Sequence, residues 1–194
     1  MKVVKVICAL FIYGFVSVSH AGIFKLNVEN GILMGADFVE VNDSFYNVRF
    51  LDGTCIDLFN GCDEASDFVF NTEQSAADAT SALLAQVFVD GVKGMFDSEP
   101  DSTYGCDTID VCVLYTVFQR GNAIRTYAAY NFGSASSFQD NAFQINFSAA
   151  RDVTNGDKVW AVWIPAVEVS APGTAMILLM GIAGLLVSQR RKQA

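Results

Sequence analysis

Histidine is almost missing. The chain has one, His20, and it lies in a stretch that reads as a removable leader. Lys2 and Lys5 form a positive start, Val6 to Val18 is largely apolar, and Ser19-His20-Ala21 places small residues at the −3 and −1 positions of a cleavage site. That layout predicts a secretory signal peptide over residues 1–21, with Gly22 as the first mature residue. Its apolar run of ~13 residues is shorter than the ~20 that a membrane span needs. Cys8 sits inside the apolar run with no small-residue cleavage site before it, so it does not mark a lipid attachment. Once His20 is removed, no imidazole remains. A Ser-His-Asp triad, a Cys-His dyad and a histidine zinc site are excluded, and Ser44 and the other serines have no base to activate them.

Positive charge is scarce where the domain lies. All 21 acidic residues fall between Glu29 and Glu168, against Arg49, Lys93, Arg120, Arg125, Arg151 and Lys158, a formal net charge of −15. Such a surface repels phosphate backbones, so nucleic acid is not an expected partner. It suits solubility outside the cell. No repeat and no Pro/Gly/Ser linker divides residues 22–168, which therefore read as one domain.

Four cysteines remain after the leader: Cys55, Cys62, Cys106 and Cys112. An even number in an exported chain reads as disulfides, with three possible connectivities. Local pairing, Cys55 with Cys62 and Cys106 with Cys112, closes two short acidic loops. A four-cysteine zinc site normally uses C-x₂₋₄-C spacing, tighter than the gaps here.

Periodicity predicts an α+β domain, a mostly antiparallel sheet with one main helix. Gly31 to Val41 and Phe45 to Phe50 read as a hairpin about Asn42-Asp43-Ser44, with a turn at Asp52-Gly53 and an acidic loop from Asp57 to Asp67. Thr72 caps a helix expected over Glu73 to Val89, with Ala76, Ala79, Leu83 and Val87 on its apolar face and Gly91 and Gly94 beyond its end. After an acidic loop from Asp97 to Asp110, Val111 to Phe118 and Ala123 to Phe132 read as a hairpin about Arg120-Gly121-Asn122. Lys158 to Ala166 closes the domain.

Beyond the domain, Ala175 to Val187 has no polar side chain. At ~1.5 Å per residue it would reach about 20 Å as a helix, against a hydrocarbon core of about 30 Å. Arg190, Arg191 and Lys192 follow and would stay cytoplasmic by the positive-inside rule. A GPI-type signal normally lacks such a basic stop. The sequence Val169-Ser170-Ala171-Pro172-Gly173-Thr174, then the apolar run, then the basic cluster, resembles the PEP-CTERM sorting signal of bacterial exosortase substrates. Ser170 and Ala171 stand where the usual Val-Pro-Glu-Pro motif has its first proline and glutamate. The resemblance implies export across the inner membrane of a Gram-negative bacterium and transient retention by a C-terminal transmembrane helix. It further implies cleavage near Pro172 by an exosortase-like membrane transpeptidase, in a setting of exopolysaccharide and biofilm production. Tyr46 to Cys55 is similar to a stretch of other exported proteins with this tail.

Three function classes follow. The leading one is a non-catalytic envelope or extracellular-matrix protein with no cofactor. The second is a carbohydrate- or calcium-binding module. Tyr104, Tyr115, Tyr127, Tyr130, Trp160 and Trp163 are candidate stacking residues for a sugar. Asp97 to Thr108 begins like an EF-hand loop, but Ser102 replaces the turn glycine and Thr108 the bidentate glutamate. The third class is a glycoside hydrolase using carboxylates alone, such as Asp63 with Glu64 or Asp107 with Asp110.

Overall fold

The computed structural model describes residues 22–146 and 156–167. Strands β1 (Lys25–Glu29), β2 (Ile32–Val41) and β3 (Ser44–Leu51) form one antiparallel meander. Strands β6 (Val111–Arg120), β7 (Ala123–Phe132) and β8 (Asn141–Asn146) form a second. Between them lie the short helix α1 (Cys55–Leu58), the main helix α2 (Glu73–Ala82) and a small hairpin, β4 (Asp90–Gly91) with β5 (Gly94–Met95). Strand β9 (Lys158–Pro165) pairs antiparallel with β3 and parallel with β6. The sheet therefore runs β1-β2-β3-β9-β6-β7-β8. The α+β reading holds, a sheet with one main helix.

Turn chemistry sets the meanders. Asn42 and Asp43 join β2 to β3 with φ of 49° and 61°, left-handed values that two-residue hairpins prefer and that Asn and Asp tolerate. Asn30-Gly31 does the same between β1 and β2. β1 and β8 were not expected from sequence; both are edge strands, short and half-polar.

Helix α2 starts where its cap chemistry dictates. Thr72 is extended, its hydroxyl accepts from the Ser75 amide at 3.2 Å, and the Ser75 hydroxyl accepts from the Thr72 amide at 3.2 Å. This reciprocal pair satisfies two amides the helix leaves open. The α-helix ends at Ala82, short of the expected Val89, because Leu83–Val87 form a π turn. The wider turn lets Leu83, Val87 and Phe88 all bury, and Phe88 stacks on Phe50 at 5.9 Å. Along α2, Ala76, Ala79 and Ala82 are small enough for the helix to lie close on the sheet.

Both faces of the sheet are covered. On β6, Cys112, Leu114 and Phe118 join the helix-side core with Val159, Ala161 and Trp163 of β9. The intervening Val113, Tyr115 and Val117 face the other way, with Trp160, against Cys55, Phe59, Cys62 and Phe68. A strand buried on both sides reads as a continuous apolar run, which β6 is. Trp160 is fully buried, donates its indole N–H to the Gly53 carbonyl at 2.8 Å, and meets Phe59 and Tyr115 edge-on at 5.8 and 5.7 Å.

Cys55 bonds to Cys62 and Cys106 to Cys112, with Cα separations of 5.6 and 5.5 Å. The two bridges do different work. Cys55 and Cys62 belong to the second core layer beside Trp160, while Cys106 and Cys112 belong to the helix-side core and tie the loop before β6 to that strand. Each short loop is worth ~2.5 kcal/mol of chain entropy. We expect Cys55→Ala with Cys62→Ala to cost at least that much and to shift Trp160 fluorescence to the red. The pair Cys106→Ala with Cys112→Ala should lower stability without that shift. Urea unfolding followed by fluorescence checks both, and equal spectra for the two variants would contradict the assignment.

Candidate functional site

The residues singled out from sequence separate into buried and exposed sets. Trp160 and Tyr115 are 0% and 2% exposed, and Trp163 is buried on the other face beside Phe70, 5.2 Å away. They hold the sheet together and offer no ring to a ligand. Tyr104 and Tyr127 are partly buried against the helix-side core. Of the candidate stacking residues, Tyr130 alone belongs to an exposed aromatic group.

That group is a strip at the β7–β8 edge. Alternate residues of β7 place Tyr130 and Phe132 on one face, and the register Ala128↔Phe143 brings Phe143 to the same side. Tyr130 stacks on Phe143 with ring centroids 4.7 Å apart and planes 9° from parallel. Phe132 lies 6.0 Å from Tyr130, and Phe138 lies 5.4 Å from Phe132. Phe138 is 72% exposed and Phe143 45%. Burial and the negative charge of Asp157 raise the Tyr130 phenol above its ordinary value, so it remains a neutral hydrogen-bond donor at the edge of the strip. Phe132, Phe138 and Phe143 were not among the sequence candidates. Their signal was polar neighbours (Gln139, Asn141, Gln144), which set Phe138 and Phe143 on a wet edge.

The acidic candidates do not assemble into a metal centre. Among the described residues no three acidic, His or Cys groups converge as a cation would require. The EF-hand-like stretch turns through a 3-10 helix at Pro100–Ser102 instead of wrapping an ion. Asp63 and Glu64 point their amides at the Asp67 carboxylate, at 3.1 and 3.0 Å, and serve a local cap. Those amide bonds hold the Asp67 carboxyl below its ordinary value. Asp107 donates its amide to the Gly156 carbonyl, and Gly133 donates to the Asp110 carbonyl, so both acids sit in backbone-bonded loops. Val169, Ser170, Ala171, Pro172, Gly173, Arg190, Arg191 and Lys192 lie outside the described residues, as do the leader and the apolar tail. Among the described residues no helix is long and apolar enough to cross a membrane.

Asp140 accepts from the Phe132 amide at 2.7 Å, and the negative charge of Asp97 acts on its carboxyl. Asp90 holds the same junction from the other side, accepting from the Asp97 and Ser98 amides, both at 3.0 Å, and from the Ser98 hydroxyl. Ser134 completes the junction by donating its amide to the Ser98 carbonyl. This network fastens the β7–β8 connection to the loop after β5, and so sets where Phe138 lies.

No family model matches the chain, and no curated protein or solved structure matches it significantly.

Desolvation first, then the charge of Asp97, raise the Asp140 carboxyl above 3.8, while its amide bond pulls the other way. A carboxyl raised in the folded state favours folding fully below its unfolded pKa and loses that contribution as pH rises through the folded value. Asp140→Asn keeps the acceptor for the Phe132 amide and removes the repulsion. Its melting temperature should exceed the parent's at pH 7, and the difference should vanish near pH 3. An advantage that persists at acid pH would show that charge is not its cause.

Proposed function

We propose that this chain is an exported cell-envelope or extracellular-matrix protein that works by binding and carries out no catalysis. Its N-terminal leader would take it across the inner membrane. Its C-terminal tail would hold it there until an exosortase-type transpeptidase cuts near Pro172. The observation that carries the exported part is the Cys55–Cys62 bridge, whose cysteines are 0% and 1% exposed and form the middle of a core layer. A domain that builds a disulfide into its packing suits an oxidising compartment, because cytosolic reductants would leave those thiols open.

The binding part rests on the exposed strip of Tyr130, Phe132, Phe138 and Phe143, which favours the carbohydrate-binding reading over a purely structural one. Aromatic rings at a wet edge offer apolar faces to sugar C–H groups, with the Tyr130 hydroxyl beside them. A carboxylate hydrolase is less well supported. Its acid and base must both be free to face the bond to be cut, whereas Asp140 is committed to the Phe132 amide and the Asp67 carboxylate holds the Asp63 and Glu64 amides in a local cap.

The decisive measurement is the C-terminal peptide of protein taken from native envelope and culture medium. Processing predicts a mature chain beginning near Gly22 and ending near Pro172, with full-length membrane-bound protein in a host lacking the enzyme. Arg190 and Arg191 recovered in the native product would leave a plain membrane anchor in place of a sorting signal.

A further inference from the structure

At the sheet edge opposite the aromatic strip, the charge of the domain reverses. An open hollow of about 540 Å³ lies along β1, floored by Arg49 to Leu51 of β3 and reached by the tip of the β4–β5 hairpin. Lys25, Arg49 and Lys93 line it, and among the described residues Glu29 is its sole carboxylate. In a chain with 21 acidic and 12 basic residues, this grouping of cations from three separate elements runs against the rest of the surface.

The hollow is shaped by the backbone. Asn27 pairs with Gly35 and Val28 with Leu33, so Met34 is an extra residue in β2, a bulge that turns its side chain into the hollow. Gly35 makes the bulge possible. Its φ is 139°, and a Cβ there would lie 2.1 Å from the Val48 carbonyl oxygen. The Arg49 guanidinium is pinned behind, donating to the Ala36 and Val48 carbonyls at 3.2 and 2.9 Å and to the Asp37 carboxylate at 2.6 Å. Lys25 and Lys93 are exposed at the rim. Neither is among the ion pairs of the described residues, which join Arg49 to Asp37, Arg120 to Glu73 and Lys158 to Asp157.

We propose that this hollow binds an anionic oligosaccharide whose sugars carry carboxylates, a uronate chain. The proposal rests on the export reading for its compartment and names a ligand class at a second site, distinct from the aromatic strip. Three features match that chemistry. Two unpaired ammonium groups on different elements can each meet a carboxylate of one chain. Met34 and Leu51 offer apolar contact for sugar C–H faces, and β1 is the terminal strand of the sheet among the described residues, with outer backbone groups that suit hydroxyls. A second copy of this chain fits less well, since edge pairing across a two-fold would bring like charges together on two acidic domains.

The test uses the oxidised full-length protein in mild detergent, titrated calorimetrically at low salt with a galacturonate hexamer and with a neutral glucose hexamer. Saturable binding of the uronate alone is expected, weakening as salt rises from about 50 to 200 mM. Lys25→Gln with Lys93→Gln should weaken it by about tenfold or more, at an unchanged melting temperature. Glu29→Gln should tighten it. Arg125→Gln, on β7, should leave it unaltered. Equal binding of the neutral hexamer, indifference to the lysine changes, or no saturable binding would overturn the proposal. So would a polyphosphate that binds as well as the uronate, since charge alone would then be the determinant. Dimers that resist both salt and the lysine changes would assign this edge to a second copy. None of these results bears on the terminal peptides, which test export and processing separately.

Discussion

Everything in this domain depends on one strand finding its slot. The first three strands and the group β6-β7-β8 are each local meanders that could form alone, and neither is a closed structure. Strand β9 joins them, with register pairs from Tyr46↔Pro165 to Leu51↔Trp160 on one side and Val113↔Lys158 to Tyr115↔Trp160 on the other. Its alternation sends Trp160 to one core layer and Trp163 to the other. A single strand thereby supplies hydrogen bonds to both halves of the sheet and a large aromatic anchor to both faces. Replacing either tryptophan by a small residue would open a cavity at the seam, where each half relies on the other, and such changes typically cost ~3–5 kcal/mol.

The two disulfides extend the same plan outward. Helix α2 covers one face with regular structure. The other face is covered by a short loop that has too few residues to hold itself in place, and the Cys55–Cys62 bridge supplies the missing constraint. Much of the negative charge then falls on the loops, where water solvates it, while the central strands β6 and β9 are buried on both sides. The exposed functional candidates lie at the two edges, the places where neither covering layer reaches.

Much of this was legible from residue order. Asn42-Asp43 and Gly121 mark hairpins because few other residues accept their positive φ, and Thr72 with Ser75 marks a helix start by a hydrogen-bond exchange that is local in sequence. Strand β6 could be read because burial on both faces leaves a continuous apolar run. What escaped was non-local. Edge strands β1 and β8 bury only one side and show little contrast. The π turn after Ala82 exists because Leu83, Val87 and Phe88 must all reach one sheet, a tertiary demand that helical periodicity does not express. The candidate surfaces were harder still. Trp160 and Trp163 have the chemistry of a sugar platform and are core. Phe138 and Phe143 look like core residues and are exposed. Lys25, Arg49 and Lys93 are far apart in sequence, and only the bulge at Met34 and the hairpin tip bring them around one hollow.

The position of β9 also bears on how the chain must assemble. A chain that emerges N-terminus first completes β3 at Leu51 and β8 at Asn146 before Lys158 opens β9, and until then β3 and β6 each present an unpaired inner edge. Those edges are apolar and ready to accept any strand. Closure is a late, long-range event, slow by the entropy of the loops it must gather. The domain therefore passes through a stage with two half-sheets and no seam, and its vulnerability to aggregation or proteolysis is concentrated in that interval, before the last strand arrives.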